Sequence, residues 1–279
     1  ALVQGLMIGG IYVLAATGLT LIMGVMNVIN IAHGEFMMLA MYATYFLYTL
    51  FNMNPFLTVL VTAPLFFIIG GFLQKFCIDR LLKGPEMSTI LFAAGLLFFI
   101  QNFAAFMWSQ DFRSLTGYIS GAFTFAGLRF SVARLSIFII SIAVTIAVYI
   151  FLAKTKVGRA IRACSQNLES ALLMGINVTR VRIITFGLGI ALAAVAGSLL
   201  MTAYYVYPSV GTPFGVMAII IVVLGGMGSI FGALVGGLAL GIVEVLTAVY
   251  VALELKGVAA FVAFILILLF RPSGLFGRK

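Results

Sequence analysis

The chain is a succession of apolar blocks separated by short polar breaks. The first block runs from Leu2 to Met26 and is followed by the polar stretch Asn27-Val28-Ile29-Asn30-Ile31-Ala32-His33-Gly34-Glu35. A second block, Phe36 to about Phe51, is closed by the turn residues Asn52-Met53-Asn54-Pro55. A third covers Phe56 to Phe76, with Lys75, Asp79, Arg80, Lys83, Gly84 and Pro85 at its end, and a fourth runs from Ser88 to Trp108. The polar stretch Ser109 to Ala133 precedes a fifth block, Arg134 to Ala153, and the basic segment Lys154 to Arg182. The remainder comprises Ile183 to Tyr205, Phe214 to Leu224, a glycine cluster, Ile230 to Tyr250 and Val258 to Phe270. At 1.5 Å per residue, blocks of about 20 residues match a hydrocarbon core of about 30 Å. Backbone in lipid must satisfy its own hydrogen bonds, and no period-two alternation suggests a barrel. The expected fold class is therefore all-α: a polytopic transmembrane helical bundle forming one domain over residues 1–279.

Composition sharpens this picture. Hydrophobic residues make up 64% of the chain and charged ones 8%, against roughly 25% charged in a soluble domain. The net charge of +9 needs no nucleic acid to explain it, because the basic residues gather in a few loops. Three fall in 75–83, six in 154–182 and three in 271–279, twelve of the 16 in all. Placing these segments on the cytoplasmic side sets the N-terminus outside, with Arg113, Arg129 and Arg134 on the outer face. Eight or nine crossings are expected, nine if the tail joins the basic face. The first block is long enough to span and reads as a true helix rather than a cleavable leader. Cys77 and Cys164 both fall on the cytoplasmic side and are expected to be reduced thiols.

Two interruptions carry candidate chemistry. Asn27, Asn30, His33, Gly34 and Glu35 lie between an over-long block and one of only about 16 residues, roughly 24 Å of helix. A break partway into the membrane explains both lengths, and broken helices often mark a substrate path. Two readings stand: Glu35 complements a helix dipole with Asn30 nearby as cap, or His33 and Glu35 line a pathway. One histidine and one glutamate do not complete a metal site. Gly225, Gly226 and Gly228 form the second interruption. Here the i, i+4 repeats Gly228, Gly232, Gly236 and Ala233, Gly237, Gly241 point either to close helix packing or to a second break. The two interruptions, one in each half, hint at inverted repeats. Glu244, alone in an apolar block, is either a pathway residue or a helix end near extracytoplasmic water. Tyr42, Tyr45 and Tyr48, and also Tyr204, Tyr205 and Tyr207, fit interfacial aromatic belts.

The segment KVGRAIRACSQNLESALLMGINVTRVR, 156–182, is polar and basic yet helically periodic. Ile161, Leu168, Ala171, Leu172 and Gly175 fall near one face, which suggests one or two amphipathic helices at the cytoplasmic surface. One use for such helices is to rest on anionic lipid.

Within it, Glu169-Ser170-Ala171-Leu172-Leu173-Met174-Gly175 resembles the EAA-x-x-x-G coupling motif of ATP-binding-cassette importer permeases, with Ser170 replacing the second residue. Asn30-Ile31-Ala32-His33-Gly34-Glu35, Leu224-Gly225-Gly226-Met227-Gly228-Ser229-Ile230-Phe231-Gly232-Ala233 and Arg271-Pro272-Ser273-Gly274-Leu275-Phe276-Gly277 are similar to signatures of branched-chain amino acid permeases. These matches run in order over nearly the whole chain. The resemblance implies a permease in a bacterial or archaeal cytoplasmic membrane, taking solute from an extracytoplasmic binding protein and sharing its path with a second permease, a copy or a paralogue. Branched-chain amino acids are the leading solute, and similar permeases carry urea, short amides or aromatic acids. It further implies that Arg159, Arg162, Glu169, Ser170, Ala171 and Gly175 couple to a separate subunit. No G-x-x-x-x-G-K-[ST] loop is present, so ATP and Mg belong to that ATP-binding-cassette partner and this chain is no enzyme. An ion- or proton-coupled transporter or channel using His33, Glu35 and Glu244 is the alternative. An intramembrane hydrolase has little support, since the single histidine has no nucleophile near it.

Overall fold

The structure is a computed structural model that describes residues 1–115, 121–125, 128–271 and 273–277. The apolar blocks fold as α1 (Leu2–Met26), α2 (His33–Phe51), α3 (Val59–Leu73) and α5 (Glu86–Trp108). Helix α3 continues through a π turn at Gln74–Ile78 into a last α-helical turn, α4 (Asp79–Leu81). In the outer stretch, β1 (Ala122–Phe125) pairs antiparallel with β2 (Leu128–Ser131), a small hairpin that block patterning did not anticipate. Then follow α6 (Val132–Lys154), α7 (Lys156–Gln166), α8 (Leu168–Leu173), α9 (Val178–Leu200), α10 (Gly211–Gly225), α11 (Ile230–Tyr250) and α12 (Lys256–Phe270).

Two helices form the centre. Within an 18-residue apolar stretch of each, 89% of residues are buried in α1 and 83% in α9, against 17% in α5 and 6% in the span Leu253–Phe270 that contains α12. The chain buries α1 because it is apolar all round, with no polar stripe to turn outward. It meets α9 at Gly18 and Gly189, where a β-carbon on Gly18 would sit 2.6 Å from the Gly189 carbonyl oxygen. It also runs antiparallel to α11: Gly5 abuts Ile242, Gly9 abuts Leu238 and Gly24 abuts Gly228. The small-residue repeats of α11 are thus packing surfaces.

Among the described residues, the 75–83 and 154–182 clusters and the tail segment 273–277 come together at one end of the bundle. Gly71, just before the 75–83 cluster, lies against Ile183 at the foot of α9. The tail's Leu275 and Phe276 donate backbone N–H groups to the Leu224 and Gly225 carbonyls, at 2.8 and 3.2 Å. At the opposite end, Arg113 bridges Val206 through paired backbone hydrogen bonds of 3.0 and 2.8 Å.

Among the described residues, seven helices are long and apolar enough to cross a membrane, fewer than the eight or nine crossings expected. The difference lies in α2 and α10, which begin inside the bundle. His33 sits beside Ala15 in the middle of α1, and Gly34 sits against Gly211. Each of these crossings is completed by irregular backbone, 27–32 before α2 and 201–210 before α10. Such backbone is tolerated at membrane depth where protein encloses it.

The order of elements suits the inverted repeat suggested by the two interruptions, but with a different second half. Helix α1, a break and the short α2 are matched by α9, a break and the short α10 running the opposite way. The glycine cluster at 226–229 does interrupt the helices, but as a turn between antiparallel α10 and α11 at the basic end. Its Gly226 and Gly228 have φ of 95° and 81°.

Candidate functional site

The N-termini of α2 and α10 meet at Gly34 and Gly211, whose backbones touch. A β-carbon on either glycine would collide with the other's carbonyl. Onto this junction the first turn of α2 projects His33 and Glu35, both fully buried. His33 Nε2–H donates to the Ala15 carbonyl at 3.1 Å, since a carbonyl can only accept. Among the described residues, its Nδ1 has no partner. Glu35 Oε1 accepts from Thr212 Oγ1 at 2.9 Å and from Gln101 Nε2 at 3.1 Å, and Gln101 also donates to Thr212 at 2.7 Å. Glu35 Oε2 is buried without a partner and, among the described residues, Glu35 forms no ion pair. One carboxylate therefore ties α2, α5 and α10 together through neutral groups alone, leaving an acceptor open.

No side chain caps α2, whose N-cap is Ala32, and Asn30 contributes only its backbone carbonyl to His33 N–H. The Asn30 side chain is buried, and its Nδ2 is unpaired. Asn27 lies apart from this cluster. It ends α1 in the left-handed conformation at φ 53° and is exposed at the basic end.

Glu244 is held differently. Tyr12 Oη–H donates to its Oε2 at 2.5 Å, and Lys256 Nζ lies 3.4 Å from its Oε1. Lys256 is half exposed, which suits the outer helix end that the sequence allowed. Tyr12 also packs on Phe214 in the first turn of α10, ring centroids 6.3 Å apart, and Phe214 on Tyr204 at 5.8 Å. The aromatic belt thus needs revision. Tyr42 is fully buried and stacks 4.4 Å from Trp108, while Arg113 lies over the Tyr45 and Phe46 rings.

At the basic end, 156–176 forms two helices. Thr155 Oγ1 caps α7 by accepting from Gly158 N–H at 2.9 Å, and Asn167 Oδ1 caps α8 by accepting from Ser170 N–H at 2.8 Å. Helix α8 ends on Gly175 at φ 77°. Gly175 N–H reaches the Leu172 carbonyl and Ile176 N–H the Ala171 carbonyl, at 3.0 and 3.1 Å. This paired closure is the turn that favours glycine, and it explains the motif's spacing. Ile161, Cys164 and Ala171 face inward. Arg159, Arg162, Glu169 and Ser170 are exposed. The expected shared face fails at two positions. Leu172 is exposed, and Gly175 lies beyond the helix. Leu173 and Met174, which the sequence did not single out, are 89% and 82% exposed. Their signal was an apolar run, ALLM, inside a basic surface loop. Burial pushes the Cys164 thiol up, with Arg182 acting against it, so this cysteine stays a protonated thiol near neutral pH.

A polar cleft of about 590 Å³ separates α7 from the glycine turn and the tail, with Arg162, Ser165, Gly228, Ser229, Ser273 and Phe276 in its walls. The tail closes the end of α10, and Phe276 packs edge-on against Phe231 with centroids 5.0 Å apart. Ending the chain at Arg271 strips the Leu224 and Gly225 carbonyls of their partners. The expected loss is about 2 kcal/mol at roughly 1 per hydrogen bond, read as a lower melting temperature of the purified protein. An unchanged melt will show that the tail contributes no stability.

Two short helices meeting N-terminus to N-terminus inside a bundle of spanning helices, with surface helices beneath, define a membrane transport protein. Residues 1–270 match the family described as branched-chain amino acid transport system / permease component. The chain belongs to that family, whose members are transport components rather than enzymes. It is 36% identical to the high-affinity branched-chain amino acid transport system permease protein BraD of Pseudomonas aeruginosa, over 99% of this chain and 95% of that one. Identity to LivH of Escherichia coli, which bears the same description, is 33% over 99% and 94%. A probable branched-chain amino acid transport permease LivH of Methanocaldococcus jannaschii is 32% identical over 95% and 88%. No solved structure matches the chain.

Sequence reasoning missed Gln101, Thr212, Tyr12 and Lys256. Gln101 and Asn102 had a signal, as the only amides in the fourth block. Nothing in the sequence pairs Thr212 with Glu35.

Proposed function

We propose that this chain is the membrane-spanning subunit of an ATP-driven importer that carries branched-chain amino acids inward across a bacterial or archaeal cytoplasmic membrane. Solute arrives from an extracytoplasmic binding protein and passes the Gly34–Gly211 junction beside Glu35, His33 and Thr212, on a path shared with a second permease. Its ATP and Mg are held by ATP-binding-cassette subunits docked on α7 and α8. The observation that carries this reading is the unpaired Glu35 carboxylate oxygen at the meeting point of two half-helices. Ionisable groups at membrane depth are costly and cluster along transport paths.

The coupling route is short. Force on α8 passes to α7, from α7 to α1, and from α1 to α10 and Thr212. Because α10 begins inside the bundle, a small shift of its lower end tilts the junction without unfolding a helix. The proposed pathway set comprises Asn30, His33, Gly34, Glu35 and Thr212. Asn27 serves as the cap of α1, Gly225, Gly226 and Gly228 serve the turn from α10 to α11, and Glu244 a structural ion pair.

Glu35→Gln keeps the shape and the hydrogen bonds of Oε1 while removing the charge. It is expected to lower uptake of radiolabelled leucine at least tenfold, with the assembled complex intact and stimulated ATPase activity retained. Unchanged uptake will make Glu35 a packing residue.

A further inference from the structure

Two cavities at the basic end adjoin each other. One is the polar cleft beside α7, in which Arg162 is the only charged side chain among the described lining residues. The other is an apolar slot of about 170 Å³ between α6 and α11, lined by Thr145, Ile146, Tyr149, Ile230, Phe231 and Leu234. On the α11 side one wall runs into the next. Ile230 and Phe231 line the slot, Ser229 before them lines the cleft, and Phe231 packs on Phe276 of the cleft. On the α6 side Thr145, Tyr149 and Ala153 follow at spacings of four, along one face of the helix. The Arg162 guanidinium donates to the Ala153 carbonyl at 3.3 Å, one helical turn beyond Tyr149. A cation therefore stands where the slot opens into the cleft.

The slot faces the membrane, since Ile146, Tyr149 and Phe231 are each more than half exposed. Its Thr145 hydroxyl is spent on the Ser141 carbonyl at 2.9 Å. With no charged group in its walls, the slot does not suit a zwitterionic solute. The cleft has the opposite chemistry. A guanidinium carries five N–H donors, and Arg162 has no ion-pair partner among the described residues. The hydroxyls of Ser165, Ser229 and Ser273 stand around it, with no carboxylate in the described lining.

We propose that slot and cleft together hold one anionic phospholipid of the cytoplasmic leaflet, its phosphate on Arg162 and one acyl chain in the slot. An apolar chain joined to a phosphate matches a membrane-facing groove that runs into a basic cleft, and basic pockets between membrane helices attract anionic headgroups. Tyr149 lies five residues inside the end of α6, about 8 Å at 1.5 Å per residue. That is the level at which tyrosines meet lipid headgroups. A free phosphate would fill the cleft and leave the slot empty, and a neutral lipid would leave Arg162 without a counter-ion. The bound lipid touches α6, α7, α11 and the tail, and so braces a surface helix against the bundle. The proposal is independent of which solute is carried.

The test is native mass spectrometry of the full chain purified in detergent, with equal amounts of phosphatidylglycerol and phosphatidylcholine added. The parent is expected to retain one phosphatidylglycerol with a preference of about fivefold. Arg162→Gln keeps a donor for the Ala153 carbonyl and is expected to bring the two lipids to parity. Lys156→Ala removes a cation from the same helix outside the cleft and is expected to leave the preference intact. Ile146→Trp fills the slot from an exposed position. It is expected to lower retained phosphatidylglycerol about fivefold with the melting temperature unchanged. The proposal is overturned by a parent without preference, or by parental behaviour of Arg162→Gln or Ile146→Trp. An equal loss in Lys156→Ala also overturns it, by showing a diffuse attraction to surface charge. Glycerol 3-phosphate binding as tightly as the lipid makes the cleft a soluble-phosphate site and overturns it too.

Discussion

Gly34→Ala will separate the two half-helices and abolish uptake, the largest single-residue effect expected in this protein. The added β-carbon falls on the Gly211 carbonyl, and both contacting groups are backbone, so neither can rotate away. Overpacking of a rigid contact typically costs about 1–3 kcal/mol, occasionally more, and this site belongs at the upper end because Gly215 closes the other side. The displaced α2 also carries Glu35 away from Thr212 and Gln101. A melting temperature lower by several degrees, with uptake below detection, is the expected outcome. Gly211→Ala fills the same gap from the other side. The double variant should therefore cost clearly less than the sum of the two singles. Additive losses, or a Gly34→Ala protein with the parental melt and uptake, will show that the helix ends are not in firm contact.

The second large effect is expected at the tip of α8. Leu173 and Met174 project from the basic end with most of their surface in water. Burying a side chain of that size is worth about 1.5–3 kcal/mol, so docking both against the ATPase subunit contributes about 3–6 kcal/mol. Leu173→Asp with Met174→Asp removes that contribution and puts two charges into the contact. The paired variant is expected to insert and melt normally yet recover no ATPase subunit on purification. Gly175→Ala is the milder companion. It strains a left-handed residue by about 1 kcal/mol without altering the apolar tip, so it should weaken docking rather than abolish it. Normal ATPase recovery by the aspartate pair will move the docking site off α8.

These two sites also show where the sequence was legible. Helix α1 was legible nearly to the residue, because a 25-residue, uncharged and mostly apolar stretch ends at an asparagine that serves as the left-handed cap. The caps of α7 and α8, Thr155 and Asn167, obey local rules of the same kind. The coupling motif was found by resemblance, and its glycine then acquired a physical reason in the turn that ends α8. What stayed hidden depends on contacts far apart in sequence. Thr212 is 177 residues from Glu35, and nothing near either residue announces the other. The second half-helix was misplaced for a related reason. A cluster of glycines is conspicuous, whereas the break at 201–210 is rich in tyrosine, with a proline and a serine, and resembles an ordinary outer loop. Tyr42 shows the same limit, since periodicity cannot distinguish a tyrosine facing the membrane surface from one sealed beneath Trp108.

Helix α1 leaves the ribosome before the α9 and α11 that it packs against, and it finishes at the centre of the bundle. Its tyrosine at position 12 bonds Glu244, 232 residues later, and its glycines wait for α9 and α11. During synthesis it must therefore stand in lipid as an apolar rod while the segments up to α11 are inserted after it. An all-round apolar surface without a charged residue permits that wait. The native protein thus keeps, in the composition of its innermost helix, the requirement of its own order of assembly.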